Sequence, residues 1–374
     1  MTGESPRQPA SAAERAVRKV GAEELRAYPE RIDVRSPSEF AEDHIPGAEN
    51  HAVLDDVERA RIGTLHAKES AFAAKRAGAA LVARNIAAML EGPFAGKPHN
   101  WAPVVYCWRG GQRSRSLAHM LNEIGWRAVQ LDGGYRAYRR HAIAMLATLP
   151  ARFRFEVICG LTGSGKSRLL DALAADGAQV LDLEAFAKHR GSLLGDLPDE
   201  GQPSQKWFES QLAAALERLD PAHPVYVESE SKKIGSVQVP DALLTAMRAA
   251  DCIRVDTPER LRVALLKEEY AHYLADPAAL TTRLAHLMPL HGKKTIEQWT
   301  AAAAAGDWDA LVGELLSRHY DPTYSRAIER NFTRIAGAIV VTPTDIGEDA
   351  FQRLAREVDS QVRSRCRTFA PGMT

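Results

Sequence analysis

Apolar positions along the chain fall into short runs separated by longer amphipathic stretches. Ile32-Asp33-Val34, Val104-Val105-Tyr106 and Ala128-Val129-Gln130-Leu131 read as strands. Between the first two, roughly Thr64 to Glu91 is Ala-rich with apolar residues at helical spacing, which predicts one or two helices over a sheet face. The stretch from Ala142 to Arg152 reads as a helix end and a linker closed by Pro150. A second alternation starts at Phe153, with strands predicted at Phe155-Glu156-Val157-Ile158, Val180-Leu181-Asp182-Leu183, Val225-Tyr226-Val227, Cys252-Ile253-Arg254-Val255 and Ala338-Ile339-Val340-Val341. Pro258 to His319, including the Ala301 to Ala305 run, is almost wholly helical in pattern and predicts an insert that could act as a lid or grip a substrate. Strands alternating with helices predict an α/β fold in two domains, 15–145 and 152–360. No internal repeat or long low-complexity segment interrupts it.

The 374 residues, 45% of them hydrophobic, suffice for two domains that each bury a core. With 48 basic and 48 acidic residues, no global field draws the chain to a polyanion, so such a partner would need a local patch. Four cysteines, Cys107, Cys159, Cys252 and Cys366, lie far apart, with no disulfide framework or zinc-ligand spacing. The polar first twenty residues lack the apolar core of a signal peptide, and no later run is long enough to span a bilayer. The expectation is a cytoplasmic protein that does not use a membrane.

Two loops carry the chemistry. The run Cys107-Trp108-Arg109-Gly110-Gly111-Gln112-Arg113-Ser114 follows one predicted strand, and Gly160-Leu161-Thr162-Gly163-Ser164-Gly165-Lys166-Ser167 follows another. In a strand–loop–helix unit, the loop N–H groups and the helix N-terminus converge on one point and favour negative charge there. One cradle holds a thiol and the other a lysine. Cys107, ringed by N–H groups with Arg109 and Arg113, is expected to ionise and act as a nucleophile at neutral pH; the alternative is a small buried hydrophobe at a strand end. Cys159 and Cys252, inside apolar strands, read as core, and Cys366 sits in a polar tail.

The second loop is a full Walker A pattern. Gly160, Gly163, Ser164 and Gly165 would let the backbone wrap phosphates, Lys166 would supply charge to them, and the Ser167 hydroxyl would ligate magnesium if it is bound. Asp182, Glu184, Glu228 and Glu230 follow predicted strands, and Glu228 is the better Walker B candidate, with a solvated loop carboxylate as the alternative. Arg254, Arg260 and Arg262 read either as lid arginines of a small P-loop kinase or as surface ion-pair partners.

The first half of the chain resembles a rhodanese domain. The resemblance rests on Asp33-Val34-Arg35-Ser36-Pro37-Ser38-Glu39-Phe40 running to His44-Ile45-Pro46-Gly47-Ala48-Glu49-Asn50, on the Cys107 loop, and on Leu131-Asp132-Gly133-Gly134-Tyr135. It implies that Cys107 could carry sulfur or selenium. The loop from Cys107 to Arg113 is longer than in most sulfur-transferring rhodaneses and is similar to that of Cdc25-type phosphatases, so a tetrahedral anion could fit. A phosphatase would need a general acid, and the loop supplies no obvious one.

A rhodanese-like domain followed by a P-loop NTPase-like α/β domain with a helical insert resembles the bacterial tRNA 2-selenouridine synthase family. Further pieces are Asp182-Leu183-Glu184 leading to Lys188-His189-Arg190-Gly191-Ser192, Gln202-Pro203-Ser204-Gln205-Lys206-Trp207-Phe208-Glu209, Val227-Glu228-Ser229-Glu230-Ser231 and Tyr320-Asp321-Pro322-x-Tyr324. The resemblance implies two steps on the wobble 2-thiouridine of tRNA: S-geranylation from geranyl diphosphate, then replacement of S-geranyl by selenium from selenophosphate. It implies no tightly bound cofactor, with magnesium as an option. Arg109 and Arg113 would hold selenophosphate. Arg136, Arg139, Arg140, Lys188, Arg190, Lys232 and Lys233 are candidate tRNA contacts, with solvated faces as the alternative. Trp207, Phe208 and Tyr135 could stack on a base or belong to the core. The competing class is an ATP-dependent kinase or ATPase with a regulatory rhodanese domain.

Overall fold

The computed structural model describes residues 17–192, 194–198 and 200–368, with side chains as far as Arg365, so the chain's first sixteen residues and the Cys366 side chain lie outside what it describes. Contacts divide the chain into two units. One comprises the chain up to Met145 with Glu209–Ala214, and the other Leu146–Phe208 with Ala215 onward.

The first unit is built on a five-stranded parallel sheet of β1 (Lys19–Val20), β2 (Arg31–Asp33), β3 (Ala48–Asn50), β4 (Val104–Tyr106) and β5 (Val129–Leu131), in the order β1-β5-β4-β2-β3. Central β4 and β5 are buried at every position, which is why they read as unbroken apolar runs. Helix α1 (Pro37–Glu42) precedes β3, and α2 (Asp56–Lys68) and α3 (Ala71–Glu91) cross from β3 to β4. Helix α2 starts eight residues before the predicted Thr64, because Asp55 caps it and accepts a hydrogen bond from Glu58 N. Helix α4 (Gln112–Ile124) follows the Cys107 loop, and α5 (Gly134–Thr148) closes the unit. Strands β1 and β3 carry too few apolar residues to stand out in the sequence.

The second unit carries β6 (Phe155–Gly160), β7 (Gln179–Leu181), β8 (Val225–Glu228), β11 (Asp251–Val255) and β12 (Ile339–Val341) in a parallel sheet ordered β12-β11-β6-β8-β7. A short antiparallel hairpin, β9 (Lys233–Ile234) with β10 (Val237–Gln238), follows β8; its two-residue strands are too short to form a pattern in the sequence. Strand β7 stops at Leu181, two residues before the expected end, because Asp182 caps α7 (Leu183–Ala187) by accepting from Ala185 N at 2.8 Å.

Helix α6 (Lys166–Ala175) follows β6, and α8 (Gln205–Arg218) and α9 (Asp241–Arg248) flank β8 and its hairpin. Between β11 and β12 run α10 (Glu259–Glu269), α11 (Ala271–Ala275), α12 (Pro277–Leu284), α13 (Met288–His291), α14 (Lys293–Ala305), α15 (Trp308–Leu315) and α16 (Asp321–Asn331). This insert has its own core around Trp299, Leu284, Leu311 and Leu316. Helix α17 (Glu348–Thr368) packs back on α6, placing Phe351 and Val358 in the core beneath β6.

Candidate functional site

In the first unit, the chain turns sharply at the C-terminal end of β4 and lays Cys107 against the hydrophobic core, 3% exposed. Its Sγ accepts hydrogen bonds from Gly111 N at 3.3 Å and from the Ser114 hydroxyl at 3.2 Å, at the start of α4. Gln130 on β5 donates to the Ser114 oxygen at 2.7 Å and to Gly111 O at 2.9 Å, tying the loop to the sheet. The loop is also clamped from the β5–α5 turn: Tyr135 N donates to Cys107 O and Arg136 N to Trp108 O. This close approach needs glycine at Gly134, where φ is +59° and a Cβ would lie 2.2 Å from Cys107 O.

The cations of this loop differ in their engagement. Arg109 is exposed, whereas Arg113 is ion-paired with Glu39 at 3.1 Å. Burial raises the Glu39 carboxyl, but Arg113 and the Ser36 backbone outweigh it and hold the group below its ordinary value. Arg113 thus reaches an incoming anion only in competition with Glu39. Tyr135 is core, stacked on Trp108 at 5.2 Å, under the Arg35 guanidinium and donating to Asp43 at 2.6 Å.

In the second unit, the loop after central β6 opens at the C-terminal edge of the sheet, flanked by β8 and β11, where open α/β sheets place their ligands. Gly165 has φ +81°, and a Cβ there would meet the Phe351 ring at 2.5 Å. Lys166 Nζ reaches back to Gly160 O at 3.5 Å, so its charge sits inside the loop it would share with phosphates. The loop lines a cleft of about 340 Å³ with Asp182, Glu184, Glu228, Glu230, Arg190, Glu269, Tyr270 and Tyr324.

Glu184, Glu228 and Glu230 place carboxylate oxygens within 4.8 Å of one another. Burial, with mutual repulsion only partly relieved by Lys166, pushes Glu228 and Glu230 up to about 7 and Glu184 well above its ordinary value. Glu228 is 2% exposed and its Oε1 has no hydrogen-bond partner. Clustered hard oxygens, one of them unpartnered and beside Ser167, fit a divalent cation of the magnesium type. Asp182 lines the same cleft and also caps α7.

Arg262 is not a mobile lid residue. It is 5% exposed, donates from Nε to Thr162 O at 2.9 Å and forks onto Asp321 at 3.0 and 2.5 Å, bracing the phosphate loop against α16. Arg254 and Arg260 are exposed and do not line the cleft. Arg190 lines it, bonded to Glu269 O with its guanidinium 5.0 Å from the Tyr270 ring centre. Lys188 pairs with Glu200 at 2.7 Å, Lys232 with Asp241 and Arg139 with Glu209. Arg136, Arg140 and Lys233 are exposed. Phe208 is core. Cys159 and Cys252 are buried on adjacent strands, and Cys252 together with burial keeps Cys159 a thiol.

The sequence offered no reason to single out Glu269 or Tyr270, because they lie in a helical stretch whose periodicity reports packing alone. Glu269 lines the cleft alone, whereas Tyr270 also lines a neighbouring apolar cavity. Thr162, Leu266 and Tyr270 line both spaces, and beyond them Tyr273, Leu280, Leu311, Val312 and Leu315 wall the cavity.

A thiol loop on one parallel sheet and a Walker-type loop on another define a rhodanese-like domain followed by a P-loop domain. Residues 21–141 match the model of the rhodanese-like domain, and residues 153–284 that of the tRNA 2-selenouridine synthase AAA domain. Proteins named tRNA 2-selenouridine synthase are similar over most of their length. That of Nitrosomonas europaea is 31% identical over 88% of this chain and 80% of its own, that of Alcanivorax borkumensis 32% over 89% and 95%, and that of Aeromonas salmonicida 34% over 78% and 85%. The chain belongs to the tRNA 2-selenouridine synthase family.

Proposed function

We propose that this protein converts the wobble 2-thiouridine of tRNA to 2-selenouridine in two steps, one at each loop. The observation that carries the reading is that the phosphate cleft adjoins an apolar cavity, the two sharing Thr162, Leu266 and Tyr270 in their walls. A diphosphate bearing a hydrocarbon chain, such as geranyl diphosphate, fits that pairing. The cavity holds about 50 Å³, enough for roughly four waters or one isoprene unit. The first isoprene unit would then lie in the cleft beside the reacting carbon.

In the first step the thione sulfur attacks the allylic carbon, the C–O bond breaks, and diphosphate leaves as the base loses its N3 proton. Lys166 and the loop N–H groups stabilise the charge developing on the leaving group. Ser167 and Glu228 would hold a magnesium ion, which would add positive charge at the same oxygens. Alkylation turns a poor leaving group into a thiol that can depart. In the second step selenium from selenophosphate bonds to C2, geranylthiol leaves, and water breaks the Se–P bond to release phosphate and restore the N3 proton. Arg109 lies exposed to receive that phosphate, and the donors on Cys107 suit a sulfur carrying charge or selenium.

The test is to incubate the protein with 2-thiouridine tRNA and geranyl diphosphate, digest the RNA and weigh the nucleosides. An S-geranyl product supports the reading. Its absence across magnesium concentrations, with ATP turnover in the absence of tRNA, would replace it with an ATPase.

A further inference from the structure

The first unit carries a groove of about 750 Å³ that the chemistry above does not use. It runs between α2, α3 and the first turns of α4, ending at Gln112 and Arg113, next to Gly111, the residue that donates to Cys107. Its floor is aliphatic, formed by Leu54, Ile62, Val82, Ile86, Leu90 and Met120; none of its lining residues is Phe, Tyr or Trp, and its two imidazoles, His66 and His119, are exposed. Its rim carries Arg59, Lys75, Arg113 and Arg115, and none of its lining residues is Asp or Glu. In a chain of 48 basic and 48 acidic residues, this is a local patch of one sign. Arg59, Lys75 and Arg115 are exposed and have no carboxylate partner among the described residues.

A basic rim calls for an anion along its length. A floor of aliphatic side chains, with the groove's only rings the exposed His66 and His119, is a poor platform for bases, which stack on aromatic faces, but a good one for a hydrocarbon chain. We infer that the groove receives S-geranylated RNA, with the prenyl chain on the floor and the anticodon-loop phosphates on the rim, presenting C2 of the modified base to the Cys107 loop. The inference rests on the two-step reading, in which the second step must accept a nucleotide carrying a ten-carbon leaving group. It gives that group a place to lie while selenium attacks.

The test measures binding of the full chain to synthetic anticodon stem–loops whose wobble residue is S-geranyl- or S-methyl-2-thiouridine. Burial of part of the longer chain predicts a preference of roughly tenfold or more for the geranyl form. Ala83→Trp, filling the floor from an exposed position on α3, should reduce that preference to about twofold or less. Ala87→Leu, a smaller intrusion, should reduce it in part and reads the same floor if the first variant fails to fold. Arg59→Glu with Arg115→Glu should weaken both stem–loops together and flatten their salt dependence.

A wild-type protein with no preference, or a preference that survives both floor variants, overturns the groove assignment. Because the stem–loops are synthetic, these outcomes do not depend on enzymatic geranylation. Failure of wild type to geranylate thiolated tRNA would instead strike at the two-step reading.

Discussion

The Ser114 hydroxyl lies 3.2 Å from Cys107 Sγ while its oxygen accepts from Gln130, so its proton is left for the sulfur or for Gly111 O. One buried side chain thus links the Cys107 sulfur to the sheet. Ser114→Ala should lower selenium incorporation into pre-geranylated tRNA about tenfold, the effect of losing one hydrogen bond of roughly 1.4 kcal/mol. Rates from nucleoside mass spectrometry would check this, and an unchanged rate would show that the hydroxyl only packs.

Lys166 is the one cation within the loop from Gly160 to Ser167. Lys166→Ala should slow geranylation at least about a hundredfold, roughly 2.7 kcal/mol of leaving-group stabilisation. Supplied with pre-geranylated tRNA, the same variant should incorporate selenium normally. Loss of both activities would argue against two sites.

The acidic cluster predicts a pH-dependent stability. Burial raises the Glu228 carboxyl from its ordinary 4.5 to about 7, so the folded state holds that proton more tightly than the unfolded chain does. The stabilisation is full below about 4.5 and is lost as pH rises through about 7. With divalent cations chelated, Glu228→Gln should melt close to wild type at about pH 5 and a few degrees above it at about pH 8.5. A difference independent of pH would mean that the cluster carries no raised carboxyl.

Arg262 and Arg254 give opposite expectations. Removing the buried guanidinium in Arg262→Ala leaves Asp321 and Thr162 O without their partner and should cost about 3 kcal/mol in urea unfolding, together with weaker pyrophosphate binding. Arg254→Ala, at an exposed strand position, should cost under about 0.5 kcal/mol. Equal losses would remove the distinction between a brace and a surface residue.

The parts that the sequence made legible are those where local pattern and chemistry coincide. Buried parallel strands such as Val104–Tyr106 and Phe155–Gly160 read as apolar runs because both sheet faces are covered. The two loops read clearly because Leu131 O at Gly110 and the Phe351 ring at Gly165, both at positive φ, leave room for glycine only. What stayed hidden depends on distant packing. The Arg113–Glu39 pair joins residues 74 apart in sequence, Arg262 braces a carbonyl 100 residues away, and Glu184 meets Glu228 and Glu230 only through the sheet order. The groove beside Cys107 also depends on tertiary packing, since the Ala-rich helix that forms its floor predicts burial and gives no sign that Arg59 of α2 and Arg113 and Arg115 of α4 join its Lys75 in a basic rim.

The division of labour between the loops is tested most directly by Cys107→Ala supplied with 2-thiouridine tRNA, geranyl diphosphate and selenophosphate, with nucleosides weighed over time. The account predicts that S-geranyl-2-thiouridine accumulates at the wild-type rate and that no 2-selenouridine forms. Undiminished 2-selenouridine, or loss of the S-geranyl product along with it, would contradict the account.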